Sequence, residues 1–360
     1  MTATTDQPPV LDEAKLMDFV FRAVDEIGAT LNCALVVMGD RLGYYRTLAD
    51  HGPLAAPELA QRTGTGEKYA REWLNGQAAG GFVTYDPGSG EYTLPAEHVV
   101  AFTDESSPAF LPGLFQFAFG TVRDAHRIFE LAQDGDGLSW GAHNTDVHVG
   151  CERFFRPGYV ANLVDEWLPA LDGVVEKLEA GARVADIGCG HGSSTILMAQ
   201  AFPQSSFVGS DAHAASIVTA RQRAAEAGVA DRTSFEPEPA TGFAGADFDL
   251  VTTFDALHDM GDPVGAAKRV YDALAADGTW MIVEPAAGDR VEDNFNPVGR
   301  VYYSFSTLLC TPSSLSQEVG LAIGTQAGPA KIRDIVTAAG FGRFRIAAQT
   351  PFNNVLEVRK

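Results

Sequence analysis

Seven strand-like runs separated by helical segments dominate the chain from about residue 151 onward. In order, they are ARVADIG, SSFVGSD, RTSFEP, FDLVTTF, TWMIVEP, RFRIAAQT and NNVLEVR. Strands that alternate with helices indicate an α/β sheet that is parallel across most of its width. Only a few residues join the last two runs, which is a link of hairpin length. We therefore predict a seven-stranded sheet whose last strand is antiparallel.

The part of the chain before this sheet is mainly helical. Residues 11–52 place apolar side chains at helical spacing, and APELAQRTG and GEKYAREWLNGQAAGG form two further helical segments. FVTYDPGSGEYTLP then predicts two short strands joined by a Pro-Gly-Ser-Gly turn. This order of helices and hairpin is that of a winged helix-turn-helix. We place the domain boundary at the polar segment WGAHNTDVHVG, which gives domains of residues 1–150 and 151–360.

The charge balance argues against nucleic acid as a partner. The 360-residue chain has a net charge of -21, and a DNA-reading module should be basic. Residues 57–95, which hold the winged-helix pattern, carry three basic and five acidic side chains. A DNA-binding regulator is therefore an alternative function with little support, and we expect the helical domain to be a dimer scaffold.

Composition favours a protein of the cytoplasm. The hydrophobic content of 46% and charged content of 20% are typical of soluble globular proteins. We expect no membrane span, and the start MTATTDQPPV lacks the pattern of a signal peptide. The four cysteines are far apart and form no C-x-x-C pair, which fits reduced thiols and offers no zinc site.

A glycine loop, VADIGCGHGSST, follows the first strand of the sheet and begins a helix. Ligands of open α/β sheets bind at this edge, and Gly188 and Gly190 allow the backbone to approach a ligand closely. A nicotinamide cofactor is less suited, because its G-x-G-x-x-G pattern requires glycine where Ser193 stands. Asp211 ends the second strand, where a carboxylate can bind a ribose diol.

These motifs resemble those of a known enzyme family. VADIGCGHG matches the D-x-G-x-G-x-G motif of class I S-adenosylmethionine (SAM)-dependent methyltransferases, and FVGSDAHAASIVTAR and FDLVTTFDALHD extend the match. With the winged-helix pattern, nearly the whole chain resembles plant and actinobacterial small-molecule O-methyltransferases. The resemblance implies a Rossmann-like fold, SAM as cofactor with S-adenosylhomocysteine (SAH) as its product, and a homodimer.

The resemblance also implies roles for individual residues. Gly188 and Gly190 would pack on the cofactor, Asp186 would support their loop and Asp211 would hold the ribose. The adenine contact comes from the segment EPEPATG, where Glu238, Ala240 and Thr241 remain alternatives. The cofactor set is predicted to be Asp186, Gly188, Gly190, Asp211, Ala240, Thr241 and Phe254.

The segment FDALHDMGDP holds the candidate general base. His258 lies between a strand end and a helix that Asp262 and Pro263 should begin, and it matches the catalytic histidine of the family. Glu284, at the end of IVEP, would orient its imidazole, and Asp259 should point away from it. A histidine here can instead be a residue that only shapes the site. Met260 replaces the usual tryptophan, and Gln326 stands near the position of an expected glutamate.

The acceptor is expected to be a small, partly apolar molecule. A substrate-capping insertion spans about residues 287–327, and the predicted acceptor contacts are Phe154, Tyr159, Asp259, Tyr302 and Phe305. The predicted function is methyl transfer from SAM to an oxygen atom of this acceptor. The alternative is a metal-assisted C-methyltransferase acting on a 2-oxo acid, but no second histidine is evident in the insertion, so we predict no metal.

Overall fold

The computed structural model describes residues 11–360. The start MTATTDQPPV, where we expect no signal peptide, lies outside the described residues. Contacts among the described residues define two compact units, which divide between Asp104 and Glu105. No helix within residues 11–360 combines the length and the apolar character needed to cross a bilayer.

The first unit has the predicted order of a winged helix. Its elements are α1 (Glu13–Arg41), α2 (Tyr44–His51), α3 (Ala56–Thr63), α4 (Glu67–Ala79), β1 (Thr84–Asp86), β2 (Glu91–Thr93) and α5 (Ala96–Thr103). Its core forms around Trp73, whose ring meets Tyr44 and Tyr45 edge-on at centroid distances of 4.9 and 5.1 Å. The hydroxyl of Tyr45 donates to Oε1 of the buried Gln77 at 2.6 Å.

Helix α1 leaves much of its apolar surface exposed within this chain. Its large exposed side chains are Leu16, Met17, Phe19, Val20, Phe21, Val24, Ile27 and Leu31. Phe19 and Ile27, for example, keep 64% and 61% of their surface exposed. A contiguous apolar face of this length marks an interaction surface rather than a solvated helix.

The second unit begins with helices that lead into the sheet. These are α6 (Pro112–Asp134), a 3₁₀ turn (Trp140–Ala142), α7 (Thr145–Asn162), a π-helical segment (Leu163–Trp167) and α8 (Val174–Ala180). The alternating part follows as β3 (Arg183–Ile187), α9 (Ser193–Ala201), β4 (Ser206–Ser210), α10 (Ala214–Glu226), β5 (Thr233–Glu236), β6 (Phe248–Phe254), a 3₁₀ turn (Leu257–Asp259), α11 (Pro263–Ala273) and β7 (Leu274–Pro285).

A helical insertion separates β7 from the last two strands. It comprises a 3₁₀ turn (Val291–Asn294), α12 (Pro297–Phe305), a π-helical segment (Ser306–Cys310) and α13 (Thr311–Leu315). The chain then forms α14 (Gly328–Ala338), β8 (Arg343–Gln349) and β9 (Asn353–Arg359).

The seven strands β3–β9 form one sheet in the order β5-β4-β3-β6-β7-β9-β8. The last strand, β9, is antiparallel to both β7 and β8, whereas the other pairs are parallel, as predicted. Alternate residues of a strand enter different apolar clusters: Val184 belongs to one, and Ala185 and Ile187 belong to the other. Burial on both sides explains why these strands are almost continuously apolar in sequence.

The division between the units differs from the predicted boundary at residue 150. Residues 105–150 belong to the second unit, because α6 packs along α7. Gln116 donates to Asp146 at 2.9 Å, and the backbone N–H of Asn144 donates to Asp124 at 2.9 Å. The predicted connector WGAHNTDVHVG therefore contains the first residues of α7 rather than a linker.

Candidate functional site

The glycine loop connects β3 to α9 at the carboxyl edge of the sheet. Gly188 has a φ of +75°, and a Cβ there would lie 2.7 Å from the Cβ of Ala256. The backbone N–H groups of Gly188 and Cys189 both donate to the carbonyl of Ser210, at 2.7 and 3.1 Å. Gly192, with a φ of +78°, precedes the first turn of α9. This conformation requires glycine and opens the loop toward the edge.

Asp186 lies near the end of β3, just before the loop, and is buried. Its buried carboxylate accepts hydrogen bonds from the hydroxyls of Ser194, Thr195 and Thr252, at 2.7, 2.6 and 3.0 Å. Burial raises the pKa of Asp186, and the three hydroxyl donors oppose that effect. Asp186 thereby ties β3 to the start of α9 and to β6.

Asp211 lies beside the loop, and both of its carboxylate oxygens accept hydrogen bonds. Oδ2 accepts from the backbone N–H of Gly190 at 2.9 Å, and Oδ1 accepts from that of His213 at 2.8 Å. Burial raises the pKa of Asp211, and these two donors lower it. Each oxygen has a further lone pair, so the carboxylate can also accept hydrogen bonds from a diol.

A cavity of about 810 Å³ opens at this edge. Its volume falls within the range of small-molecule and cofactor sites. Six of the seven predicted cofactor residues line it, namely Gly188, Gly190, Asp211, Ala240, Thr241 and Phe254. Glu238 lines it too, so the geometry leaves the adenine contact open among the three alternatives of its segment.

His258 is buried against Glu284. The Nδ1 atom of His258 lies 2.6 Å from Oε2 of Glu284, and Oε1 of Glu284 accepts from the backbone N–H of Leu257 at 3.0 Å. Because a carboxylate accepts, Nδ1 carries the proton and Nε2 is left as the acceptor. Burial would lower the pKa of His258, but the carboxylates of Glu284 and Asp259 raise it well above its usual value.

The prediction that Asp259 points away from His258 is wrong. Oδ1 of Asp259 lies 3.5 Å from Nε2 of His258 and is buried without a hydrogen-bond partner among the described residues. Burial raises the pKa of Asp259, and His258 opposes the shift. Asp259 lines the cavity, as expected of a pocket residue.

Cys310 joins these two residues, which the sequence did not indicate. Ligand atoms of His258, Asp259 and Cys310 lie within 4.8 Å of one another, so the group is compact enough for a metal ion. The prediction of no metal rests on the lack of a second histidine in the insertion, whereas the third potential ligand here is a cysteine. The π-helical segment that presents Cys310 was the missing information, since such segments recur at functional sites.

The predicted acceptor residues separate into two groups. Tyr159 lines the cavity, as do Cys151, Glu152 and Phe155 of the same helix face, whereas Phe154 does not. Phe154 lies one position out of phase on α7 and contacts Phe155 and Phe352 instead.

Tyr302 and Phe305 are not among the cavity-lining residues either. The Tyr302 hydroxyl donates to the carbonyl of Phe352 at 2.9 Å, and Phe305 stacks on Phe117 of α6 at a centroid distance of 4.2 Å. Tyr302 and Phe305 are therefore buried core residues rather than cavity-lining residues.

Asp255 is a cavity residue that sequence reasoning missed. It has a φ of +48°, which is strained for a residue other than glycine. Asn353 donates to its Oδ1 at 2.8 Å, and the hydroxyl of Tyr159 donates to its Oδ2 at 3.3 Å. Burial, and then the neighbouring Glu284, raise the pKa of Asp255 well above its usual value.

The insertion is hydrogen-bonded to the loop that carries His258. The side chain of Gln317 donates to the carbonyl of Asp259 at 2.8 Å and accepts from the N–H of Gly261 at 2.8 Å. The hydroxyl of Ser314 donates to the carbonyl of Met260 at 2.9 Å. Residues Ser313, Ser316, Gln317, Glu318 and Val319 complete this side of the cavity.

Comparison with known proteins decides what kind of domain holds this cavity. A family model described as "Methyltransferase domain" matches residues 185–280, which include the glycine loop, Asp211 and His258. The chain carries a methyltransferase domain. A second model, described as "Rv2258c-like winged HTH domain", matches residues 30–104, ahead of the methyltransferase domain.

Individual relatives agree with this assignment. The trans-aconitate 2-methyltransferase of Paracidovorax citrulli (strain AAC00-1) is 36% identical over 110 residues, which are 30% of this chain. The chain spans only 40% of the length of that relative in this match.

Solved structures cover both units of the chain. Human N-acetylserotonin methyltransferase, solved with SAM, has a TM-score of 0.69 at 15% identity and covers 98% of this chain and 99% of its own. Mitomycin 7-O-methyltransferase MmcR has a TM-score of 0.70 at 18% identity, with coverage of 97% and 100%. At identities of 15% and 18%, the likeness to these two structures establishes the fold alone.

Proposed function

We propose that the protein transfers a methyl group from SAM to an oxygen atom of a small, partly apolar acceptor, with His258 as general base. The observation that carries the proposal is the 2.6 Å contact between Nδ1 of His258 and Oε2 of Glu284. It orients a buried imidazole whose neighbours Ala256 and Asp259 line the same cavity as the glycine loop.

The lining of the cavity fits SAM. Gly188 leaves no room for a side chain and so keeps the loop backbone open to a ligand. Asp211 has lone pairs free for the ribose hydroxyls, and Ala240, Thr241 and Phe254 line the cavity beside it. When bound, SAM supplies an activated methyl group on a sulfonium centre.

The protein then has to position the acceptor and remove its proton. Holding two reactants in line can contribute up to about 7–11 kcal/mol. In this proposal, Nε2 of His258 accepts the hydroxyl proton, while Nδ1–H remains bonded to Glu284, which stabilises the imidazolium that forms. A placed general base contributes about 10²–10⁴-fold in rate.

Acceptor profiling with labelled SAM tests the activity, using cell extracts and a panel of phenols, carboxylates and amines. With an acceptor in hand, His258→Ala should lower kcat by about 10²-fold or more and leave SAM affinity nearly constant. His258→Gln is the matched control, because its amide can still donate to Glu284 but cannot take up the proton. Near-parental kcat in both variants would refute the base role.

A metal-assisted C-methyltransferase acting on a 2-oxo acid is the second candidate function. It is favoured by the compact group of His258, Asp259 and Cys310. Here Nε2 of His258 would be a ligand and could not serve as the base. Elemental analysis of the purified protein separates the candidates: a stoichiometric metal whose removal abolishes activity supports the second, and full activity after chelation supports the first.

We further propose a cytoplasmic homodimer that assembles through α1 (Glu13–Arg41). The exposed apolar side chains of α1 support the dimer, because a second copy would bury them. Cys151, Cys189 and Cys310 are free thiols, as is usual in a reducing compartment.

A further inference from the structure

The cavity is lined by many acidic side chains, and its only basic side chains among the described residues are the histidines His148, His191 and His213. It presents seven carboxylates and neither lysine nor arginine. The carboxylates belong to Glu152, Asp211, Glu238, Asp255, Asp259, Asp262 and Glu318. Carboxylate and phosphate ligands are ordinarily recognised by the paired N–H donors of arginine or by lysine. The cavity offers no such group.

Four of these carboxylates have a role elsewhere in the structure. Glu152 pairs with Arg223 at 2.7 Å, and Asp262 caps α11 through the N–H of Gly265. Asp211 and Glu238 accept from backbone N–H groups on the side of the cavity near the glycine loop.

The other three carboxylates define what we call the acceptor end, namely Asp255, Asp259 and Glu318. None of the three forms an ion pair with lysine or arginine within residues 11–360. Asp255 is held by the neutral donors Asn353 and Tyr159, and Oδ1 of Asp259 is buried with no hydrogen-bond partner in the described part of the chain.

His258 contacts the acceptor end through Asp259, but it does not reverse the charge there. Its imidazole lies between Glu284 at 2.6 Å and Asp259 at 3.5 Å, so one positive charge faces two carboxylates. The pKa of the cavity thiol Cys151 is raised well above its usual value by burial and then by Asp259 and Asp255. The thiol of α7 thus faces the same negative surroundings.

We infer that the acceptor of the proposed methyl transfer is uncharged or positively charged, and that the acceptor end rejects carboxylate- and phosphate-bearing molecules. This inference rests on the proposed function of the cavity. An anion would bring a like charge to the half-buried Asp255 and Asp259 and to the exposed Glu318, and such juxtaposition is a recognised means of excluding a ligand. A protonated amine, or a hydroxyl that donates, satisfies the unpartnered oxygen of Asp259.

The charge of the acceptor end can be measured without knowing the acceptor. Ser316 is exposed and lines the cavity, so Ser316→Cys places a thiol there in the full-length protein. Peptide mass spectrometry follows its modification by a positively and a negatively charged methanethiosulfonate. Thr337→Cys, on the exposed face of α14, is the control for the net charge of the whole protein.

We expect the ratio of the cationic to the anionic rate to be at least tenfold higher at Ser316→Cys than at Thr337→Cys. Adding Glu318→Gln or Asp259→Asn should lower that ratio, whereas Glu176→Gln, on the exposed face of α8, should not. The inference would be overturned if the ratio at Ser316→Cys were no higher than that at Thr337→Cys. It would also be overturned if neither Glu318→Gln nor Asp259→Asn changed the ratio.

A second measurement addresses the acceptor itself. Cell extract is passed over an anion exchanger at pH 7, and each fraction is assayed with labelled SAM. Acceptor activity in the unretained fraction supports the inference, and activity confined to the retained fraction overturns it. Failure of the proposed function can be distinguished from failure of this inference. The former would appear as an absence of SAH binding in calorimetry, whereas the ratio of reagent rates would still report the charge of the cavity.

Discussion

Glu284→Gln is the substitution that most directly tests how the base is oriented. Glutamate 284 accepts two hydrogen bonds, one from Nδ1 of His258 and one from the backbone N–H of Leu257. Glutamine is nearly the same shape but has one acceptor oxygen and one NH₂ donor. It can therefore accept from only one of the two groups and must present its NH₂ to the other.

The lower-energy arrangement in that variant changes the tautomer of His258. The amide oxygen accepts from Leu257, because leaving a buried N–H unpaired costs about 1–3 kcal/mol. The NH₂ then faces Nδ1, which must give up its proton, and Nε2 becomes the protonated atom. An imidazole in that tautomer cannot accept the proton of the acceptor hydroxyl.

We expect kcat to fall by about 10²–10⁴-fold, the contribution of a well-placed base, while SAH affinity stays within about twofold. Replacing a buried hydrogen bond to a charged group by a neutral one should also lower the free energy of unfolding by about 1 kcal/mol. Initial rates, calorimetry with SAH and denaturant unfolding measure these quantities, and Glu176→Gln is the matched control on the exposed face of α8.

NMR of His258 distinguishes a change in its tautomer from a general structural effect of the Glu284→Gln substitution. At a pH above the raised pKa of His258, its ¹⁵N shifts should report Nδ1–H in the parent and Nε2–H in Glu284→Gln. An unchanged tautomer together with a near-parental kcat would refute the reasoning from hydrogen-bond geometry.

Three further predictions follow from the site and from α1. Asp211→Ala should weaken SAH binding by at least about tenfold in calorimetry, because the ribose and the loop N–H of Gly190 lose their acceptor; unchanged affinity contradicts the ribose role. The rate should rise with pH through a pKa above that of free histidine, since neutral His258 is the active form; a flat profile contradicts the base role. Light scattering should show a dimer that Phe19→Asp together with Ile27→Asp dissociates, and a monomeric parent at micromolar concentration contradicts the α1 interface.

The architecture was predictable because it depends on the spacing of apolar residues and on the local residues that begin and end helices and strands. Strand β3 runs into a glycine loop and then a helix, and each of the seven strand-like runs became a strand of the sheet. Asp262 and Pro263 mark the start of α11, so the position of His258 ahead of that helix followed from local signals.

The walls of the cavity were less predictable because they depend on helix phase and on contacts distant in sequence. Phe154 and Phe155 are equally aromatic, and only the rotation of α7 decides that Phe155 lines the cavity. Cys310 reaches His258 through a π-helical segment that has no clear sequence pattern. The strained backbone of Asp255 likewise depends on Asn353 and Tyr159, which come from opposite ends of the methyltransferase unit.

The hydrogen bonds from Ser314 and Gln317 to the backbone of residues 259–261 have a consequence for how this enzyme could acquire a new acceptor. A change in the insertion that reshapes the cavity wall also shifts the peptide that carries His258. Selectivity and turnover are therefore mechanically linked, and variants chosen for an altered acceptor should seldom retain the original rate. Divergence among such enzymes would then proceed by paired substitutions, one in the insertion and one beside the histidine.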